Sequence, residues 1–89
     1  MPSGRVVITG LGTVSPLGLD VASTWAAAVS GKSGAGPITL FDASAYDTRI
    51  ACEVKDWDPT LYLDRKEVRH TDRVVQFAIG AAVQALKDA

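Results

Sequence analysis

The chain has no excess of charge that would point to a partner. Nine lysines and arginines stand against ten acidic residues among 89, leaving a net charge of −1. That balance gives no global reason to expect nucleic acid or an anionic membrane surface as partner. Cysteine is nearly absent: Cys52 stands alone, so no internal disulfide can form. No Cys/His cluster carries zinc spacing either, and a reducing cytoplasm is the expected setting. Long apolar runs are missing too. Behind Arg5 the stretch that might pass for a signal peptide is interrupted by Thr9, Gly10, Gly12, Thr13, Ser15 and Pro16, and nothing is long enough to cross a bilayer. Asp42, Asp47, Asp56 and Asp58 do not have the spacing of a calcium loop and sit beside turn or cap signals. No metal or cofactor site is expected.

What is present is an ordinary globular composition, 47% hydrophobic and 21% charged, with α/β patterning. Arg5 to about Ser15 is β-rich, and Val6-Val7-Ile8 predicts a strand buried on both faces. Asp20 is the expected N-cap of a helix over 21–30, with Val21, Trp25 and Val29 as its buried stripe and Gly31 as its stop. "GKSGAGP", residues 31–37, predicts a flexible connector. The irregular stretch after it has Phe41 and Tyr46 as expected anchors. Alternation over 49–55 predicts a half-buried strand with Ile50, Cys52 and Val54 on one face and Ala51, Glu53 and Lys55 on the other. Asp58-Pro59 opens a helical turn. From Asp64 the pattern is helical, with a break near Thr71-Asp72, and runs to Leu86 or beyond. Val74, Phe77, Ala78, Ala81, Ala82, Ala85 and Leu86 form its apolar face, and Gly80 allows a close neighbour. So broad a face needs more cover than these elements offer, which predicts that residues 1–89 are an incomplete part of a larger domain.

"GLG" after a β-branched run invites comparison with a dinucleotide-binding turn. That fingerprint needs a third glycine where Ser15 stands, and a helix starting inside the motif so that its amides meet the pyrophosphate. Here Pro16 follows at once, and the helix signal waits until Asp20. A core strand with two flat spots at Gly10 and Gly12 is the better reading, not a Rossmann domain.

Four segments in order, "RVVITGLGTVSPLG", "STWAAAVSGKSG", "FDASAY" and "DRKEVRHTDRVVQFAIGAAVQAL", resemble the start of β-ketoacyl-[acyl carrier protein] synthases, closest to the type II elongating enzymes of bacterial fatty acid synthesis. The resemblance runs from about Arg5 to Ala89. It implies a partial thiolase-like fold, the opening of an N-terminal half whose mixed sheet packs against helices. For the intact protein it implies a homodimeric acyltransferase that elongates acyl chains by decarboxylative Claisen condensation with malonyl-carrier protein. The nucleophilic cysteine and catalytic histidines of that family are expected downstream of Ala89, so no catalytic residue is assigned here and the segment alone is expected to be inactive. A non-catalytic chain-length-factor-like subunit and the ketosynthase of a polyketide synthase share this opening.

Cys52, mid-strand with no helix N-terminus beneath it, reads as a buried, inert thiol. His70 reads as solvent-facing. The candidate functional residues lie in "DRKEVRH", residues 64–70. Lys66 and Arg69 are one helical turn apart, and Arg65 is one turn from Arg69. The resemblance implies that Lys66, Arg69 and His70, with Arg65 as a further candidate, dock an acidic acyl carrier protein. From charge alone the stretch is a solvated helix face, since 64–73 holds four basic against three acidic side chains. Trp25 and Trp57 are expected to be packing anchors.

Overall fold

The computed structural model describes residues 4–89; residues 1–3, which the expected domain range 1–89 includes, lie outside the described residues. In chain order it contains helix α1 (Val21–Val29), strands β1 (Ala35–Pro37) and β2 (Ile50–Cys52), a 3₁₀ turn (Pro59–Leu61), and helices α2 (Arg65–Arg69) and α3 (Arg73–Asp88).

Local signals set the helix boundaries. Asp20, Asp64 and Asp72 are N-caps, each accepting from the backbone N–H three residues on. Asp58 accepts from Thr60 N, with Pro59 opening the 3₁₀ turn. Each satisfies a donor that a helix start leaves free. α1 ends in a Schellman arrangement. Gly31, at φ 78°, donates to Ala28 O, and Lys32 donates to Ala27 O, a turn that glycine enters without steric cost.

Two glycines explain how the N-terminal segment meets α3. A β-carbon on Gly12 would collide with Ala81 O and lie 2.7 Å from Ala85 N; one on Gly10 would collide with Ala85 O and lie 2.6 Å from Ala89 N. The backbone of residues 10–13 therefore rests on the backbone of α3. Its amides use α3 side chains: Leu11 N donates to Asp88 Oδ2 at 3.0 Å and Thr13 N to Gln84 Oε1 at 3.2 Å. The expected flat spots are real, and a helix occupies them. No dinucleotide turn forms; the chain closes instead through a tight turn in which Ser15 and Gly18 exchange backbone hydrogen bonds around Pro16-Leu17.

The expected strand over 5–15 does not form. Among the described residues the only sheet is the antiparallel β1–β2 pair, registered Ala35↔Cys52, Gly36↔Ala51 and Pro37↔Ile50. A strand exists only through the neighbours that accept its ladder, and Val6 is 99% exposed. The flexible connector expected over 31–37 is also corrected, because its second half is β1. The expected strand over 49–55 shortens to 50–52, all three of its residues are exposed, and neither expected face is buried as a whole. Ile50 is 65% exposed and Cys52 is exposed rather than buried, whereas Glu53 is buried.

Glu53 is buried because its carboxylate gathers the donors of the facing loop. It accepts from Thr39 N, Thr39 Oγ1, Leu40 N and Lys55 Nζ. The Lys55 ammonium first, then the Thr39 hydroxyl, lower its pKa to about 2, against an ordinary 4.5. A depressed carboxylate contributes stability above its unfolded value and loses it as pH falls towards the folded one. Hydrogen-exchange protection of the Thr39 and Leu40 amides is therefore expected to hold at neutral pH and to decline between pH 4.5 and about 2. In Glu53→Gln it should already be weak at neutral pH; equal protection in both proteins would refute the assignment.

α3 turns an unexpected side inward. Its buried positions are Gln76 and Gly80, and the apolar residues expected to be covered include Val74 and Leu86, 75% and 77% exposed. Trp25 and Val29 of α1 are likewise 68% and 64% exposed, so of the expected stripe Val21–Trp25–Val29 only Val21 is half-buried. Phe41 and Tyr46 meet edge to face at 5.9 Å but stay exposed. Trp57 does anchor packing. It stacks on Tyr62 with centroids 5.8 Å apart and meets Phe77 edge-on at 5.0 Å. Gly80 lets both rings approach: an added β-carbon would lie 2.9 Å from the Trp57 ring and 3.2 Å from Tyr62.

Candidate functional site

α2 is a single five-residue helix between the aromatic cluster and the start of α3. Asp64 accepts from Glu67 N at 2.8 Å and starts it. Val68 is half-buried, while Arg65, Lys66, Glu67, Arg69 and His70 are exposed. Lys66 and Arg69 fall in its last turn, where cations suit the helix dipole. Among the described residues the one ion pair is Lys55–Glu53, so no carboxylate on the described surface engages Arg65, Lys66 or Arg69. The break expected near Thr71-Asp72 is present. The Thr71 hydroxyl donates to Glu67 O at 3.0 Å and closes the end of α2, while Asp72 caps α3. Arg65, Lys66 and Arg69 thus share one short helix and His70 is its C-cap, solvent-facing as expected.

The other titratable residues singled out lie on separate elements of the described structure. Cys52 lies on β2 and His70 closes α2 at its C-cap, and no hydrogen bond joins them among the described residues. Asp42 and Asp58 are held below the usual carboxylate range by the side chains and amides of Ser44 and Thr60, which they bind in turns. No group of three His, Cys, Asp or Glu among the described residues could hold a metal ion. A cleft of about 520 Å³ separates the Pro16-Leu17 turn from the β1–β2 hairpin; of its two lysines, Lys32 and Lys55, the second is committed to Glu53. No described helix is long and apolar enough to cross a membrane.

Two glutamines escaped the sequence reading. Gln76 Oε1 accepts from Trp57 Nε1 at 3.0 Å, and its Nε2 donates to Thr71 O and Thr71 Oγ1 at 3.2 and 3.3 Å. Gln84 accepts from Thr13 N and donates to Leu19 O at 2.7 Å and to the Tyr62 hydroxyl at 3.1 Å. Gln76, Gly80 and Gln84 recur every four residues. That spacing is a legible stripe, hidden because amides count as surface residues in a hydropathy pattern.

Residues 3–89 match the family described as beta-ketoacyl synthase, N-terminal domain, and the chain belongs to that family. It is 58% identical over 88 residues to the 3-oxoacyl-[acyl-carrier-protein] synthase 2 of Coxiella burnetii, covering 99% of this chain and 21% of that protein. It is 48% identical over 85 residues to the enzyme of the same name from Synechocystis, covering 96% and 20%. Among solved structures, the ishigamide ketosynthase/chain length factor superposes with a TM-score of 0.84 at 37% identity, over 93% of this chain and 21% of that one. The expected partial thiolase-like α/β fold of a ketosynthase is therefore the fold of this chain, with an antiparallel pair among the described residues where a mixed sheet was expected. The chain spans about a fifth of the length of the relatives it matches.

Proposed function

We propose that these residues are the opening portion of a β-ketoacyl-[acyl carrier protein] synthase of the elongating type, and that α2 is its docking surface for acyl carrier protein. The intact protein is then a cytoplasmic homodimer. It transfers an acyl chain to a cysteine outside this segment and condenses it with decarboxylating malonyl-carrier protein. Identity of 58% to a 3-oxoacyl-[acyl-carrier-protein] synthase 2 across nearly the whole chain carries the reading. Support for docking is physical: exposed cations with no described carboxylate engaging them, on a capped helix, suit an acidic partner. The segment's part is to present that surface.

The test is binding of acyl carrier protein to the full gene product. Exposed ion pairs contribute roughly 0.2–1 kcal/mol each, and reversal turns attraction into repulsion. Lys66→Glu combined with Arg69→Glu is therefore expected to weaken binding about tenfold at low ionic strength, and less at high salt as screening shortens the range. Unchanged affinity at low salt would remove α2 from the interface. The likeness to a ketosynthase/chain length factor structure supports a second reading, a ketosynthase-like subunit without a nucleophile. Turnover of acyl- and malonyl-carrier protein by the full gene product alone would exclude it.

A further inference from the structure

We propose that Gln76 is a positioning residue for α2, fixing the orientation in which the basic helix meets its partner. This rests on the docking reading above. A helix of five residues has no stability of its own in water, where about 12–15 residues are marginal. Its Asp64 cap is local and cannot aim it. Beyond the packing of half-buried Val68, its C-terminal end is held by hydrogen bonds from Thr71. Thr71 holds the last carbonyls of α2 with its hydroxyl, at 3.0 Å to Glu67 O and 3.3 Å to Val68 O. The Gln76 amide in turn donates to both the carbonyl and the hydroxyl of Thr71.

The other end of the Gln76 amide is fixed by the Trp57 indole, itself packed between Tyr62 and Phe77. At 6% exposure Gln76 is among the most sheltered side chains described, yet every polar atom it carries is bonded. An amide is needed because the junction asks for one acceptor and two donations from a single rigid plane. Leucine or methionine could fill the space and supply neither. Trp57, the end of α2 and the first turns of α3 thus meet at one buried side chain, while the cations it aims stand exposed.

The experiment uses the full gene product with two substrates, acyl carrier protein thioester and a small soluble acyl thioester lacking the protein. Gln76→Met removes all three bonds at similar volume. Thr71→Val removes only the hydroxyl and leaves the Trp57 bond, so it reads the junction if the first variant folds poorly. Losing about one hydrogen bond's worth of orientation should raise KM for the carrier-borne substrate about fivefold. kcat should not move, nor should either constant for the small thioester, and Thr71→Ser should restore the wild-type KM. A merely structural role would lower both substrates' turnover together, and that result overturns the proposal. So does an unchanged carrier KM in folded Gln76→Met or Thr71→Val. If Lys66→Glu/Arg69→Glu raises that KM and these variants do not, only the positioning role falls. If the charge reversal is silent as well, the docking reading falls with it.

Discussion

Gly12→Ala is expected to destabilise the protein by about 3 kcal/mol, near the upper end for overpacking, although it adds one methyl group to a half-exposed segment. The reason is what that methyl meets. An alanine β-carbon there would overlap the Ala81 carbonyl and approach Ala85 N and Gln84 Cβ to 2.7 Å each. A side chain in the way could rotate aside, but two of these obstacles are helix backbone. Relief must come from lifting residues 10–13 off α3, which also stretches the Thr13–Gln84 and Leu11–Asp88 hydrogen bonds. Gly4→Ala is the matched control, since nothing lies within 4 Å of its added β-carbon. Denaturant unfolding of the full gene product should show a clearly lowered midpoint for Gly12→Ala and none for Gly4→Ala. Coincident midpoints would show that the segment does not lie on α3.

The same glycines show where a sequence can be read and where it cannot. Asp20, Asp58 and Gly31 were legible because caps act within three or four residues, and each caps or stops the element expected; Asp64 and Asp72, legible only as a helix start and a break, are caps as well. The flat spots at Gly10 and Gly12 were legible as a need for close approach, but not the identity of what approaches. α3 lies about seventy residues on. Facing was the weakest inference. Alternation over 49–55 distinguishes two faces without saying which one finds cover, and Glu53 is drawn inward by Thr39 and Leu40 donors that no local pattern reveals. Val6–Ile8 and Trp25 carry the pattern of buried residues and stand exposed. A pattern records what the fold requires, and the described residues alone do not meet that requirement. The basic cluster was legible as a set and sits exposed as a set, because charged residues on a short capped helix have nowhere else to go. Gln76, which holds that helix in place, was invisible for the converse reason.

Gln84→Leu should be the other costly substitution, by about 2–4 kcal/mol, because one amide serves three separate stretches of chain. It accepts from Thr13 N, donates to Leu19 O just before the α1 cap, and donates to the Tyr62 hydroxyl. Leucine fills similar space but strands all three partners, and a stranded buried group costs about 1–3 kcal/mol; partial access to water brings the total below the simple sum. Gln84→Glu separates the contributions, since a carboxylate can still accept from Thr13 N but cannot donate to Leu19 O. It is expected to fall between wild type and leucine, with amide protection lost at the start of α1 and retained at Thr13. Tyr62→Phe should cost least. The double variant Gly12→Ala/Gln84→Leu supplies the sharper check. Both changes act where residues 10–13 meet α3, so once the segment is lifted the Thr13 bond is already gone and cannot be lost twice. The combined destabilisation should be smaller than the two single effects added, by about the worth of that one bond. Strict additivity would mean that the glycine contact and the glutamine bond are separate features, and that α3 does not hold the N-terminal segment as a unit.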